Sequence, residues 1–150
     1  QRVRKAAPAV VLDASCLLAS AFAEPGGELV RPLIAGALIS TVNWSEFVQK
    51  VQQRGINTQG MRTELEGAGL RIVPVTVQQA EAAAELWPMG RPLGLSLADR
   101  LCLALGLSQP SKVYTADRVW SQLPALPHLQ VVCIRPVQVL HQSTASTSTA

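Results

Sequence analysis

"SLADRLCLALG", residues 96–106, is the stretch on which the reading of the fold turns. Leu101, Leu103, Leu105 and Leu107 alternate with smaller residues, as they would along a strand. Against that, Ala and Leu are strong helix formers, the run is long, and it holds no β-branched residue, so a helix is predicted. Ser96 stands three positions before Asp99, which is the spacing of a capping box at a helix start. The result is an almost wholly apolar helix with one carboxylate near its beginning. Further on, "TADRVW" (115–120) repeats the Ala-Asp-Arg triplet around Asp117, and "VVLDAS" (10–15) carries Asp13. These are the only aspartates in the chain, and each adjoins an apolar run.

Outward from this helix, strands alternate with helices. "PAVVLDAS" reads as a buried strand that stops at Asp13, followed by a short helix over "CLLASAFA". "EPGGELV" breaks the chain before a second helix around "ELVRPLIAG". "ALIST" is the next strand. "NWSEFVQKVQQRG" has helical spacing, with Trp44, Phe47, Val48 and Val51 on one side and Gly55 as its stop. "NTQGMRTELEGAG" is predicted as a helix capped by Asn57 or Thr58, and "LRIVPV" as a strand. "TVQQAEAAAELW" is an Ala-rich helix from Thr76, and "WPMGRPLG" a loop. "KVYTAD" and "LQVVCIRP" complete the strands. The expected fold is α/β, a three-layer sandwich with a mostly parallel central sheet flanked by helices. Residues 1–8 are expected to be an N-terminal extension, 9–137 the domain, and 138–150 a polar, disordered tail. The opening Gln1 in place of Met suggests a trimmed start.

The chain has 150 residues, 48% of them apolar, enough for a proper core, and its 15% charged content argues against disorder. A net charge of +3 is compatible with a polyanionic partner without requiring one. Cys16, Cys102 and Cys133 lack metal-ligand spacing and sit in apolar stretches, which predicts buried reduced thiols and a cytoplasmic protein. His128 and His141 also lack ligand spacing. No apolar run approaches the roughly 18 residues of a membrane span, and no secretory segment is evident. Six aromatic residues (three Trp, two Phe, one Tyr) are too few for a base-stacking platform. Trp44, Trp87 and Trp120 are expected in core or dimer contacts.

Taken singly, the acids have structural explanations. Ser96 with Asp99, and Asn43 with Glu46, have cap spacing, and a carboxylate there gains about 0.3–1 kcal/mol from the helix dipole. Asp117 is placed to cap a helix through "RVWSQL"; Asp13 has no comparable explanation. As a set they are harder to dismiss. Loops at the carboxyl ends of parallel strands converge on one edge, where ligands bind. Two unit charges about 4 Å apart repel by about 4 kcal/mol at an effective dielectric of 20, so converging acids call for a cation. All-oxygen ligation without His or Cys suits Mg²⁺ or Mn²⁺.

"VVLDAS", "NWSEF", "GLSLADRLCLALG" and "TADRVW", in that order, resemble the PIN-domain family, and most closely its VapC-type toxins of toxin–antitoxin pairs. The resemblance spans residues 9–136. It implies a parallel sheet between helices and divalent-metal-dependent cleavage of RNA, with an acidic quartet at Asp13, Glu46, Asp99 and Asp117. Ser15 and Thr115 match the family's hydroxyl positions beside those acids. Val119 stands where some relatives carry a further acid, so the quartet is minimal.

On this reading Asp13, Asp99 and Asp117 are metal ligands, and Glu46 is a further ligand or the residue that orients the attacking water. Ser15 and Thr115 hold the carboxylates in place, and Arg100 and Arg118 are candidate contacts to RNA phosphates, with internal ion pairing as the equal alternative. The expected partners are an RNA substrate, an antitoxin protein and a second copy of the chain. A phosphoreceiver-like domain would need an Asp on a middle strand, and none lies between 13 and 99. A haloacid-dehalogenase-like phosphatase would show Asp-x-Asp, but Ser15 fills the second place. The remaining alternative is a catalytically inactive PIN-like module that binds RNA or a partner.

Overall fold

The computed structural model describes residues 7–135. Its centre is a five-stranded sheet of β1 (Ala9–Leu12), β2 (Leu38–Ser40), β3 (Arg71–Val73), β4 (Ser111–Thr115) and β5 (Leu129–Cys133). The strands are ordered β3-β2-β1-β4-β5, and every pairing is parallel. The expected sheet is thus present, and it is parallel throughout. The chain first builds outward from β1 to β3, then crosses back to lay β4 on the other side of β1. That reversal makes a crevice at the carboxyl ends of β1 and β4.

Helices cover both faces. α1 (Ala14–Ala21), α2 (Gly27–Val30), α3 (Thr41–Gln53) and α4 (Met61–Gly67) lie on one side; α5 (Val77–Glu85), α6 (Trp87–Gly90) and α7 (Leu97–Leu107) lie on the other. Alternation along the strands feeds both layers. Leu12 and Ile39 pack with Leu17, Phe47 and Val51, while Val11, Leu38 and Val113 pack with Leu103 and Leu105.

α7 is the helix of residues 96–106, and its apolar character has a clear cause. Cys102, Leu103 and Leu105 face the sheet, while Leu101 and Ala104 pack against Ala83 of α5. A helix covered on two sides has little room for a polar face. Gly106 marks its closest approach to the sheet: a Cβ there would come within 2.5 Å of Val113 Cγ2.

Some local expectations are corrected. The helix expected around "ELVRPLIAG" is only the single turn of α2 followed by a 3₁₀ turn at Arg31–Leu33, since Pro32 cannot donate to a continued α-helix. α4 starts after Gly60 at φ 81°. Asn57 does not cap it, but accepts a bond from Gln59 N at 2.9 Å. The "WPMGRPLG" loop contains α6 and a 3₁₀ turn, Arg91–Leu93; Pro88 and Pro92 sit in first turns, where no N–H is needed. Among the cysteines, Cys16 and Cys102 are buried and Cys133 is half-buried, all as free thiols. Trp120 is in the core, whereas Trp87 is 49% exposed. The tail at 138–150, residues 1–6 and His141 lie outside the described residues. Among the described residues, no helix is long and apolar enough to cross a membrane.

Candidate active site

The crevice between β1 and β4 is closed by two hydroxyls. Asp13 follows β1 directly, is 5% exposed, and caps α1 by accepting from Cys16 N at 3.0 Å. This corrects the expectation that Asp13 lacks a capping role. Ser15 Oγ donates to Asp13 Oδ1 at 2.6 Å and accepts from Ala116 N at 2.9 Å. Thr115 Oγ1 donates to Asp13 Oδ2 at 2.6 Å and accepts from Asp117 N at 3.1 Å. Each hydroxyl therefore links Asp13 at the end of β1 to the backbone that leaves β4. Asp117 is exposed and caps the 3₁₀ turn Arg118–Gln122 through Val119 N at 3.0 Å.

Asp99 and Glu46 arrive on helices. Asp99 forms the predicted capping box: Asp99 N donates to Ser96 Oγ at 3.1 Å, and Ser96 N donates to Asp99 Oδ2 at 2.9 Å. The matching expectation for Asn43 and Glu46 is overturned. α3 is capped by Ser40, the last residue of β2, so Asn43 lies inside the first turn and Glu46 one turn further in. Asn43 is 1% exposed, and its Nδ2 donates to Ala98 O at 3.2 Å. Residues three apart share a helix face, so this bond pins the Glu46 face of α3 against the start of α7 beside Asp99. The other oxygen of Asn43, Oδ1, is buried without a hydrogen-bond partner among the described residues.

The electrostatics join all four acids. Burial pushes the Asp13 carboxyl above its ordinary 3.8 despite its three hydrogen bonds, and the charge of Asp99 adds to the rise. Burial likewise raises Glu46, which Lys50 opposes and Asp99 and Asp13 reinforce. Asp99 is raised by burial, against the Ser96 bonds, with Asp117 adding to the effect. In each case burial is the larger cause, and the charge of the neighbouring carboxylates is the smaller one. Beneath them, burial first and then the carboxylate charges push the Cys16 and Cys102 thiols far up, so both stay protonated and unreactive.

This all-oxygen, mutually repelling set has the donor chemistry of a hard divalent cation. Among the described residues, no three His, Cys, Asp or Glu side chains are grouped tightly enough to enclose an ion by themselves. The donors fit the ion in type.

The two candidate phosphate contacts part company. Arg100 is half-buried; its Nη1 donates to Ala83 O at 2.6 Å and its Nε is buried. Its guanidinium serves the contact between α5 and α7, so the phosphate expectation for Arg100 is withdrawn. Arg118 is exposed and lines a groove with Ser15, Ala116, Asp117 and Arg135. Asn43 and Arg135 were missed in the sequence. Asn43 carried a cap-like spacing that misdirected the reading, and Arg135 carried no signal.

The chain is a parallel α/β sandwich in which Asp13 and Asp117 follow β1 and β4 at the switch point of the sheet. The family model described as PIN domain matches residues 10–126, and the chain belongs to the PIN domain family. No curated protein sequence matches it. Solved structures that share the fold include a toxin–antitoxin complex from Klebsiella pneumoniae, at 17% identity and TM-score 0.62, covering 86% of this chain and 100% of that one. VapBC2 from Rickettsia felis bound to a promoter DNA fragment aligns at 13% identity and TM-score 0.58, covering 83% and 97%. DNA-bound VapBC from Salmonella typhimurium aligns at 14% identity and TM-score 0.59, covering 85% and 99%. At these identities the likeness is one of fold.

Proposed function

We propose that the protein is a divalent-metal-dependent endoribonuclease, the toxin of a VapBC-type toxin–antitoxin pair. The observation that carries this reading is the buried Asp13 carboxylate, bonded by Ser15 and Thr115 at the switch point of a PIN domain, with repulsion from Asp99 adding to the burial that raises its pKa. Such repulsion is a standing cost that a bound cation relieves. Asp13, Asp99 and Asp117 would hold Mg²⁺ or Mn²⁺, with Glu46 as a further ligand or as the base. When bound, the ion supplies an activated water and neutralises charge on the phosphate.

The chain's own residues do the rest. Ser15 and Thr115 fix the Asp13 carboxylate by bonding both of its oxygens, so it does not reorganise as charge develops. The Ser96 backbone N–H holds one oxygen of Asp99. Glu46 is half-buried with a raised pKa, which suits it to orient the attacking water and take its proton. The fold likeness to toxin–antitoxin complexes supports an antitoxin as partner. A second copy in a homodimer is a further proposed partner. Buried free thiols support a cytoplasmic location.

The test is Asp99→Asn, which is isosteric and still able to cap α7. The variant is expected to fold normally and to lose RNA cleavage in Mg²⁺ or Mn²⁺, while chelator silences the wild type. Undiminished cleavage by the folded variant would falsify the assignment.

A further inference from the structure

The groove beside Asp117 has a cationic side. Its volume is about 350 Å³, and its walls are Ser15, Ala116, Asp117, Arg118 and Arg135. Ser15 bonds Asp13, and Asp117 follows Thr115, so the groove opens directly from the acidic centre. Arg135 is fixed in its wall. Its Nη2 meets Glu24 Oε2 at 3.0 Å, its Nε donates to Pro25 O at 3.1 Å, and its side chain keeps 25% exposure. Glu24 is held in turn by Arg54 at 3.0 Å, whose guanidinium lies 3.7 Å over the Phe22 ring.

The backbone behind Arg135 is equally confined. Gly26, at φ +87°, lies so close to the chain before Arg135 that a Cβ would come within 2.5 Å of Ile134 O. A Cβ on Gly27 would overlap Ala19 O. Ile134 N donates to Thr115 O at 2.9 Å, which ties the end of β5 to the end of β4. "EPGG", residues 24–27, is thus a buttress that sets Arg135 on the strand-end rim. Only glycine permits the approach.

We propose that this groove seats a backbone phosphate of single-stranded RNA, adjacent to the phosphate presented to the acids, with Arg118 and Arg135 as its cationic walls. The inference rests on the ribonuclease reading and deepens it. An acidic centre by itself repels a polyanion. The groove wall carries two guanidinium groups, Arg118 and Arg135, and one carboxylate, Asp117, at the place where the strand would leave the acids. Guanidinium matches phosphate geometry, and a side chain already fixed by Glu24 loses little freedom on binding. Contacts to phosphate set position and carry no base identity, so the groove fixes where the strand lies without selecting its sequence.

The test uses the full chain in chelator, where binding is read without turnover. The probe is a labelled, mixed-sequence single-stranded RNA of roughly 12 nucleotides, within the span of small single-strand-binding domains. Its affinity is followed by anisotropy across a KCl series. Arg135→Gln and Arg118→Gln are each expected to lower the slope of log K against log[KCl] by about 0.7, the counterion release of one single-strand phosphate contact. The loss should be alike for RNAs of different sequence, and Arg135→Lys should restore the slope. Arg62→Gln, an equal change of charge on α4 at a residue paired with Glu66, should leave it unaltered. Because Arg135→Gln also frees Glu24, Arg118→Gln decides the matter if that variant fails to fold. Wild-type slopes in Arg118→Gln and in folded Arg135→Gln would overturn the proposal, as would a wild type that does not bind the RNA. Binding with the expected slopes, but no cleavage in Mg²⁺ or Mn²⁺, would support the seat and remove the ribonuclease reading.

Discussion

Thr115→Val removes one oxygen from the joint between β1 and β4 while keeping the shape of the side chain. The hydroxyl is fully buried; it donates to Asp13 Oδ2 at 2.6 Å and accepts from Asp117 N at 3.1 Å. Asp13 is 5% exposed, so water cannot easily replace the lost donor. A hydrogen bond to a charged group contributes about 1.5–3 kcal/mol, and one between neutral groups about 0.5–1.5. The Asp117 N–H loses its acceptor too, at a residue that water reaches, so this adds little. Burial raises the Asp13 pKa, and the Thr115 bond is one of the interactions holding it down. The cost of the substitution therefore depends on pH. It should be about 1 kcal/mol where Asp13 is protonated and about 2–3 kcal/mol where it is ionised. Urea unfolding in chelator, run from below the ordinary carboxylate value of 3.8 up to neutral pH, measures it. At neutral pH the melting temperature should fall by roughly 4–12 °C. Thr115→Ser should recover most of the loss. A penalty that is the same at every pH, or below about 0.5 kcal/mol at neutral pH, would refute the reasoning.

Asp13, Glu46 and Asp99 all have raised pKa values, so above 3.8–4.5 the folded state retains more protons than the unfolded state. Their contribution to stability is complete below those ordinary values and is lost as pH rises through the folded ones, so melting in chelator should fall across that window; a flat profile counts against the burial that raises them. Mn²⁺ at a hundredfold excess over its dissociation constant should add about 2.7 kcal/mol, or roughly 5–10 °C. Asp117→Asn should keep the Val119 cap, leave the chelated melt unchanged or higher, and shrink the Mn²⁺ gain; a full gain would place Asp117 outside the cation site. Asn43→Leu removes the bond to Ala98 O together with a buried orphan oxygen, so stability should stay within about 1 kcal/mol. RNA cleavage should nevertheless slow by roughly 10- to 100-fold as Glu46 and Asp99 lose register, and an unchanged kcat would rule out a positioning role for Asn43.

What the sequence determined by itself was mostly local in cause. Ser96 and Asp99 cap α7, Thr76 caps α5 and Asp117 caps the turn after it, because each depends on groups two or three residues apart. The alternation of strands and helices followed from period-two and period-3.6 patterns, and the order of the acid-bearing motifs carried the family. Tertiary structure decided whatever depends on where distant segments meet. Asn43 has the spacing of a cap, yet the helix begins at Ser40, because β2 ends there and a hydroxyl was already in place. Arg100 looks like its counterpart Arg118 in sequence, but α7 turns it toward Ala83. The Thr115 bond to Asp13 spans 102 residues, and the Arg135 pair with Glu24 spans 111. No periodicity or local propensity encodes such contacts. They exist because the chain crosses back over β1, bringing the ends of β4 and β5 to the rim where Asp13 already stands.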